Sequence, residues 1–214
     1  MQYKAIIFDL DGVLVFTDKY HFLAWKKLAD KLGIEFTEKD NDRLRGVSRE
    51  ESLNIILEKY HGEPISPEKK KEYLEEKNNI YRESLSEMTG KDVSPEVRQT
   101  LKKLKEVGYR LAIGSSSKNT AYILERCELT DAFEVVSDGT MITRSKPDPE
   151  VFLKAAELLS ENPSDCLVVE DADAGVTAGH AAGMDVAALG AATASGRADY
   201  DLEKFEDLYG VLEG

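Results

Sequence analysis

The chain has 214 residues, 42% of them apolar, enough for one large domain or a domain with an inserted module around a real core. Against 28 Lys and Arg stand 41 Asp and Glu, a net charge of −13 that argues against nucleic acid or an anionic membrane as the main partner. A phosphorylated substrate stays compatible only where cations are concentrated locally or a metal supplies them.

The first apolar run, residues 5–9 ("AIIFD"), reads as a strand covered on both faces and ends in Asp9-Leu10-Asp11-Gly12. No cationic and apolar leader precedes it, and no run approaches the ~18 apolar residues that would span a bilayer, so the expected compartment is the cytoplasm. A helical, charged stretch of roughly 80 residues follows before the next strand, far beyond an ordinary βαβ connection. Within it Phe22, Trp25, Ala29 and Leu32 share one helix face. Ser48 and Glu51 make a capping-box pattern, with Leu53, Ile56, Leu57 and Tyr60 at helical spacing beyond it. Ser66-Pro67 opens a third helix, expected to run to about Met88.

Past this stretch, Ser94-Pro95 starts a helix with a Val97, Leu101, Leu104 and Val107 stripe that stops at Gly108. Strand-like runs then occupy residues 110–114, 133–137, 166–170 and 185–189, separated by helical segments such as the one from Pro149 to Ser160. Strands alternating with helices predict an α/β fold with a doubly wound parallel sheet. The expected core is residues 1–14 and 91–214, and the expected inserted helical cap domain is residues 15–90. Cys127 and Cys166 have no metal-ligand spacing and read as reduced, buried thiols.

Sites in such sheets gather beyond the carboxyl ends of the strands. Four of the five runs end in or lead into polar residues suited to phosphoryl chemistry. These are Asp9 with Asp11; Ser115-Ser116-Ser117-Lys118-Asn119; Lys146 in a loop after the third run; and Glu170-Asp171. A carboxylate can accept a phosphoryl group and so divide one hard step into two. Carboxylates meeting at one place repel one another unless a hard cation sits among them. Lysine and a hydroxyl with backbone N–H groups would balance and hold the oxygens of the group in flight.

The order of these motifs resembles the haloacid dehalogenase superfamily of phosphotransferases, whose core is a Rossmann-like doubly wound sheet. Within it the stretches 17–25, 44–53 and 115–119, with Lys77, resemble the β-phosphoglucomutase family along nearly the whole chain. That resemblance implies Asp9 as nucleophile, Asp11 as general acid and base, and Ser115 and Lys146 as stabilisers of the transferring group. It implies Mg²⁺ held by Asp9, the Asp11 backbone carbonyl, Glu170 and Asp171. It further implies a sugar-phosphate site built from Thr17, His21, Trp25, Leu44, Arg45, Gly46 and Val47, continuing through Ser48, Arg49, Ser52 and Lys77. Arg49, Ser117 and Asn119 would grip the non-transferring phosphate, with Ser116 and Lys118 beside them. The implied protein is a monomer acting on a small-molecule sugar phosphate, interconverting β-glucose 1-phosphate and glucose 6-phosphate.

A sugar-phosphate phosphatase of the same superfamily shares every core residue and is the alternative. A phospho-acceptor receiver domain shares the acidic pocket but lacks an inserted helical module. Two departures stand out: Val15-Phe16 where relatives often carry Thr-Asp, and Arg45 where they often carry lysine. Residues 191–197 are left unaligned with the family. Asp148 and Asp173 read as structural, and residues 69–77 as largely a solvated helix face.

Overall fold

The computed structural model describes residues 2–44 and 47–213. The chain divides into two compact units, one of Met1–Phe16 with Met88–Gly214 and one of Thr17–Glu87.

In chain order the elements are β1 (Ala5–Phe8), α1 (Asp18–Lys31), α2 (Glu38–Asp42), α3 (Arg49–Leu57), α4 (Pro67–Leu85) and α5 (Pro95–Val107). After these come β2 (Arg110–Gly114), α6 (Thr120–Arg126), β3 (Val135–Ser137), α7 (Glu150–Leu159) and β4 (Cys166–Glu170). The chain closes with α8 (Asp173–Ala181), β5 (Asp185–Ala188), β6 (Tyr200–Asp201) and α9 (Leu208–Glu213).

The first unit is built on a six-stranded, all-parallel sheet of order β3-β2-β1-β4-β5-β6. Both faces are covered, which is why the interiors of β1, β2, β4 and β5 are apolar. Ala5 and Ile7 face a buried cluster with Val151, Phe152 and Ala155 of α7 and Val176 and Ala178 of α8. Alternation sends Ile6 and Phe8 to the opposite face, where the Phe8 ring meets Phe133 and Phe205. The local signals work as the sequence suggests at α5: the Ser94 hydroxyl accepts from the Val97 N–H, Pro95 occupies the first turn, and Gly108 ends the helix at a left-handed φ of 104°. Strand order reverses between β1 and β4, so the carboxyl ends of those two strands frame the crevice where such sheets bind ligands.

The second unit is helical. Trp25, Leu28 and Ala29 of α1 pack with Ile34, Phe36, Leu44, Leu53 and Ile56 in their own core. Ser48 caps α3 by accepting from the Glu51 N–H, and Ser66 caps α4 by accepting from the Lys69 N–H.

Several expectations change in detail. α4 ends at Leu85 and α3 at Leu57, leaving Tyr60 in the following turn. The Ser48–Glu51 pair makes only the forward bond, whereas a complete capping box joins Thr37 and Asp40 at α2, which is too short to show periodicity. β3 starts at Val135, not at residue 133. The two-residue β6 escaped notice because its pairing comes from β5, not from any apolar run. Both cysteines are buried and free, and burial, helped by nearby acidic groups, pushes each thiol up to about 11. Among the described residues no helix is long and apolar enough to cross a membrane.

Candidate active site

Asp9 follows β1 directly, and its N–H continues the ladder onto Val169 O at 2.9 Å, which sets it beside the end of β4. There the fourth apolar strand ends in buried Glu170, followed by Asp171. Carboxylate oxygens of Asp9, Glu170 and Asp171 lie within 4.8 Å of one another. The Lys146 ammonium reaches into this group from the β3–α7 loop, 2.5 Å from Asp9 Oδ1 and 2.5 Å from Glu170 Oε1. The other Glu170 oxygen accepts the N–H groups of Asp171 (2.9 Å) and Ala172 (3.0 Å).

Two glycines make this crowding sterically possible. At Gly12, with φ 87°, a Cβ would sit 2.0 Å from Asp171 Oδ2; at Gly175 it would sit 1.9 Å from the Glu170 carboxylate. The Gly12 turn is closed by Gly12 N–H on Val15 O (2.7 Å), and Asp11 bridges to Val15, which holds Asp11 just beyond Asp9. Val15 is buried while Phe16 is 71% exposed.

Electrostatically the cluster is short of positive charge. Burial would lower the Lys146 pKa, but Asp9 and Glu170 outweigh it and hold the ammonium charged above the ordinary lysine range. Burial raises the Asp171 carboxyl to about 8, with repulsion from Asp9 and Glu170 adding to it. Burial likewise raises Glu170, and Lys146 opposes the shift without cancelling it. Three carboxylates facing one ammonium, with hard oxygen donors converging, fit a divalent cation bound at Asp9, Glu170 and Asp171.

On the neighbouring strand, Phe8 is level with Ile113, so Ser115 lies one residue past the level of Asp9. Ser115 is buried; its N–H bonds Ser137 O at 3.1 Å and its hydroxyl accepts the Ser117 N–H at 3.2 Å. The Ser117 hydroxyl in turn accepts from the N–H of buried Asn119. Ser116 Oγ accepts the Lys146 N–H at 3.4 Å, a link between two loops that spacing alone did not reveal. Lys118 is exposed.

The helical unit gathers its own group. Lys77, only 2% exposed, places its ammonium 2.9 Å from His21 Nδ1, 4.7 Å from the Trp25 ring centroid and 4.6 Å from that of Tyr81. The His21 ring stacks on Tyr81 at 4.0 Å. Tyr81, four residues after Lys77 and so on the same face, joins this group although it was expected only as part of the apolar stripe. Burial of the imidazole, then Lys77 and Arg49, lowers the His21 pKa far below the ordinary value, so the ring is neutral. Burial also lowers the Arg49 pKa. Ser52, Thr17 and Leu44 are buried, and Ser48 and Val47 are half-buried. Arg45 and Gly46 lie outside the described residues.

Residues 6–189 match the family described as haloacid dehalogenase-like hydrolase, and the chain belongs to that family. It is an enzyme of that class, with the acidic strand-end cluster as its candidate centre. More particularly, the chain is 40% identical to the β-phosphoglucomutase of Bacillus subtilis over 96% of its own length and 91% of that protein's. It is 33% identical to the phosphorylated carbohydrates phosphatase of Thermotoga maritima over 85% of its length and 82% of that one's. The crystal structure of β-phosphoglucomutase from Clostridium difficile superposes with a TM-score of 0.91 at 36% identity, covering 99% of this chain and 96% of that one.

Proposed function

We propose that the chain is a Mg²⁺-dependent β-phosphoglucomutase that interconverts β-glucose 1-phosphate and glucose 6-phosphate, working as a cytoplasmic monomer. The observation that carries the reading is Lys146 clamped between Asp9 and Glu170 at the strand-order switch. That arrangement suits a carboxylate nucleophile whose phosphoryl group needs a fixed cation beside it. The B. subtilis and C. difficile relatives support the particular reaction.

Asp9 carries the phosphoryl group between sugars. The substrate's 6-hydroxyl oxygen attacks phosphorus, the bond from phosphorus to the Asp9 oxygen breaks, and the Asp11 carboxylate takes the hydroxyl proton. Glucose 1,6-bisphosphate then turns over in the site. The freed Asp9 carboxylate attacks the 1-phosphoryl group, and Asp11 returns its proton to the departing O1. Lys146 and Ser115 hold the oxygens of the group in flight. Asp9, the Asp11 carbonyl, Glu170 and Asp171 would hold Mg²⁺, which supplies Lewis-acid charge neutralisation when bound. Arg49, Ser117 and Asn119 would bind the second phosphate. The helical unit acts as a cap, offering Lys77, His21 and Ser52 to the sugar, and its role is to favour a sugar hydroxyl over water as acceptor. The net charge of −13 agrees with a small-molecule partner.

The test supplies β-glucose 1-phosphate, Mg²⁺ and a trace of glucose 1,6-bisphosphate. Glucose 6-phosphate with little free phosphate is expected. Stoichiometric phosphate without glucose 6-phosphate would mean a sugar-phosphate phosphatase, the activity named for the T. maritima relative.

A further inference from the structure

Lys146 must be delivered to within hydrogen-bond reach of two carboxylates by the loop of residues 138–149, a long connection for one between β3 and α7. Its first residues are tied down: Asp138 Oδ1 accepts the Thr140 N–H (2.8 Å) and hydroxyl (2.6 Å), and the Gly139 N–H donates to Ser117 O (3.1 Å). Its later half is held by a residue outside the acidic cluster. Glu150, the first residue of α7, turns its carboxylate back so that both oxygens receive the Thr143 N–H at 3.0 Å and one receives the Arg144 N–H at 2.8 Å. The Thr143 hydroxyl donates to the same carboxylate at 3.0 Å. Asp148 adds to the fold of the turn, accepting the Glu150 N–H at 3.0 Å and pairing with Arg144 at 3.1 Å. The carboxylate thus fastens the two residues that lie three and two positions before Lys146.

We propose that Glu150 is a positioning residue for Lys146: by gathering the backbone N–H groups of Thr143 and Arg144 it fixes the loop that carries the ammonium to Asp9 and Glu170. The bonds of Thr143 and Arg144 to this carboxylate hold its pKa below the ordinary glutamate range, so it stays an ionised, two-sided acceptor through neutral pH. A glutamine offers one acceptor oxygen and turns an NH₂ donor toward N–H groups, which breaks part of the clasp while leaving size unchanged. Displacing an ammonium by even about 1 Å from a reacting phosphoryl group is enough to slow chemistry without changing how substrate is bound.

This inference rests on the reading of Lys146 as a partner of the transferring group, so the experiment has one arm that needs no substrate. In Mg²⁺-loaded enzyme, acetylation of individual lysines by trace acetic anhydride is followed by mass spectrometry for the parent, Glu150→Gln, Glu150→Asp and Glu157→Gln. Exposed Glu157 lies on the same helix, paired with Lys154, and serves as control. Glu150→Gln is expected to label Lys146 about tenfold faster while buried Lys77 keeps its protection, with Glu150→Asp intermediate and Glu157→Gln like the parent. In the second arm, run with the mutase or phosphatase activity found in the product assay, Glu150→Gln loses about tenfold in kcat at unchanged KM and nearly unchanged Tm. Parent-like protection of Lys146 overturns the proposal, whichever activity the enzyme has. Faster labelling of Lys77 and Lys146 together overturns it too, because that is general loosening. So does a loss carried by KM alone, or faster labelling at unaltered kcat. Should Glu150→Gln not fold, the same criteria are applied to Glu150→Asp.

Discussion

The two units bury charge by opposite means. In the sheet unit three carboxylates converge on a single ammonium, and burial raises Asp171 to about 8. In the helical unit an ammonium is buried among two aromatic faces and an imidazole forced to be neutral. The first group is deficient in positive charge and invites a cation; the second sets an ammonium against π faces and a neutral ring.

Breaking the chemistry of the sheet unit gives the largest expected effect. Asp11→Asn keeps shape and hydrogen bonding but cannot take a proton, so turnover should fall about 10²–10⁴-fold while circular dichroism and Mg²⁺ affinity hold. Unchanged turnover would remove Asp11 from proton transfer. In the helical unit, Arg49→Ala removes the guanidinium proposed to grip the second phosphate, and mutase kcat/KM should fall about 10–100-fold while hydrolysis of a small acyl phosphate falls far less. Equal losses in the two assays would assign Arg49 to folding.

The charge deficit itself can be weighed by calorimetry. Mg²⁺ at 100 times its Kd should stabilise the protein by about 2.7 kcal/mol over chelated enzyme, and no shift in Tm would contradict the cation site. The helical unit should respond to acid instead. His21 is neutral when folded and titrates near its ordinary value of about 6.5 when unfolded. Its contribution to stability is therefore complete above about pH 6.5. It is lost as pH falls below that value, at no more than about 1.4 kcal/mol per pH unit. His21→Gln should flatten the pH 7 to 5 stability profile relative to the parent, and parallel profiles would mean that His21 is not held neutral by the fold. The smallest effect concerns Ser137, whose buried hydroxyl has no hydrogen-bond partner among the described residues. Ser137→Ala should raise unfolding free energy by about 1 kcal/mol in urea melts, because an unsatisfied buried donor disappears. A loss of stability would point to a hidden partner beside Ser115.

Much of the sheet unit was legible because phosphoryl chemistry demands particular residue types at strand ends, and apolar runs mark where strands end. Asp9, Ser115 and Glu170 could each be placed on that logic. The caps at Ser48, Ser66 and Ser94 were legible for a similar reason, since each bond spans three residues. β6 and α2 were not, being too short to carry a periodic signal.

Local order along the chain therefore determined the strands, most helix starts and the residue types of the candidate centre, because those depend on neighbours within a few positions. Only the tertiary structure decided that Lys146 sits between Asp9, 137 residues away, and Glu170, 24 residues away. It also decided that Lys77 meets His21 across 56 residues, and that the Ser137 hydroxyl finds no partner among the described residues. Burial and electrostatic balance are properties of what surrounds a group in space, and those surroundings are assembled from segments with no sequence proximity to announce them.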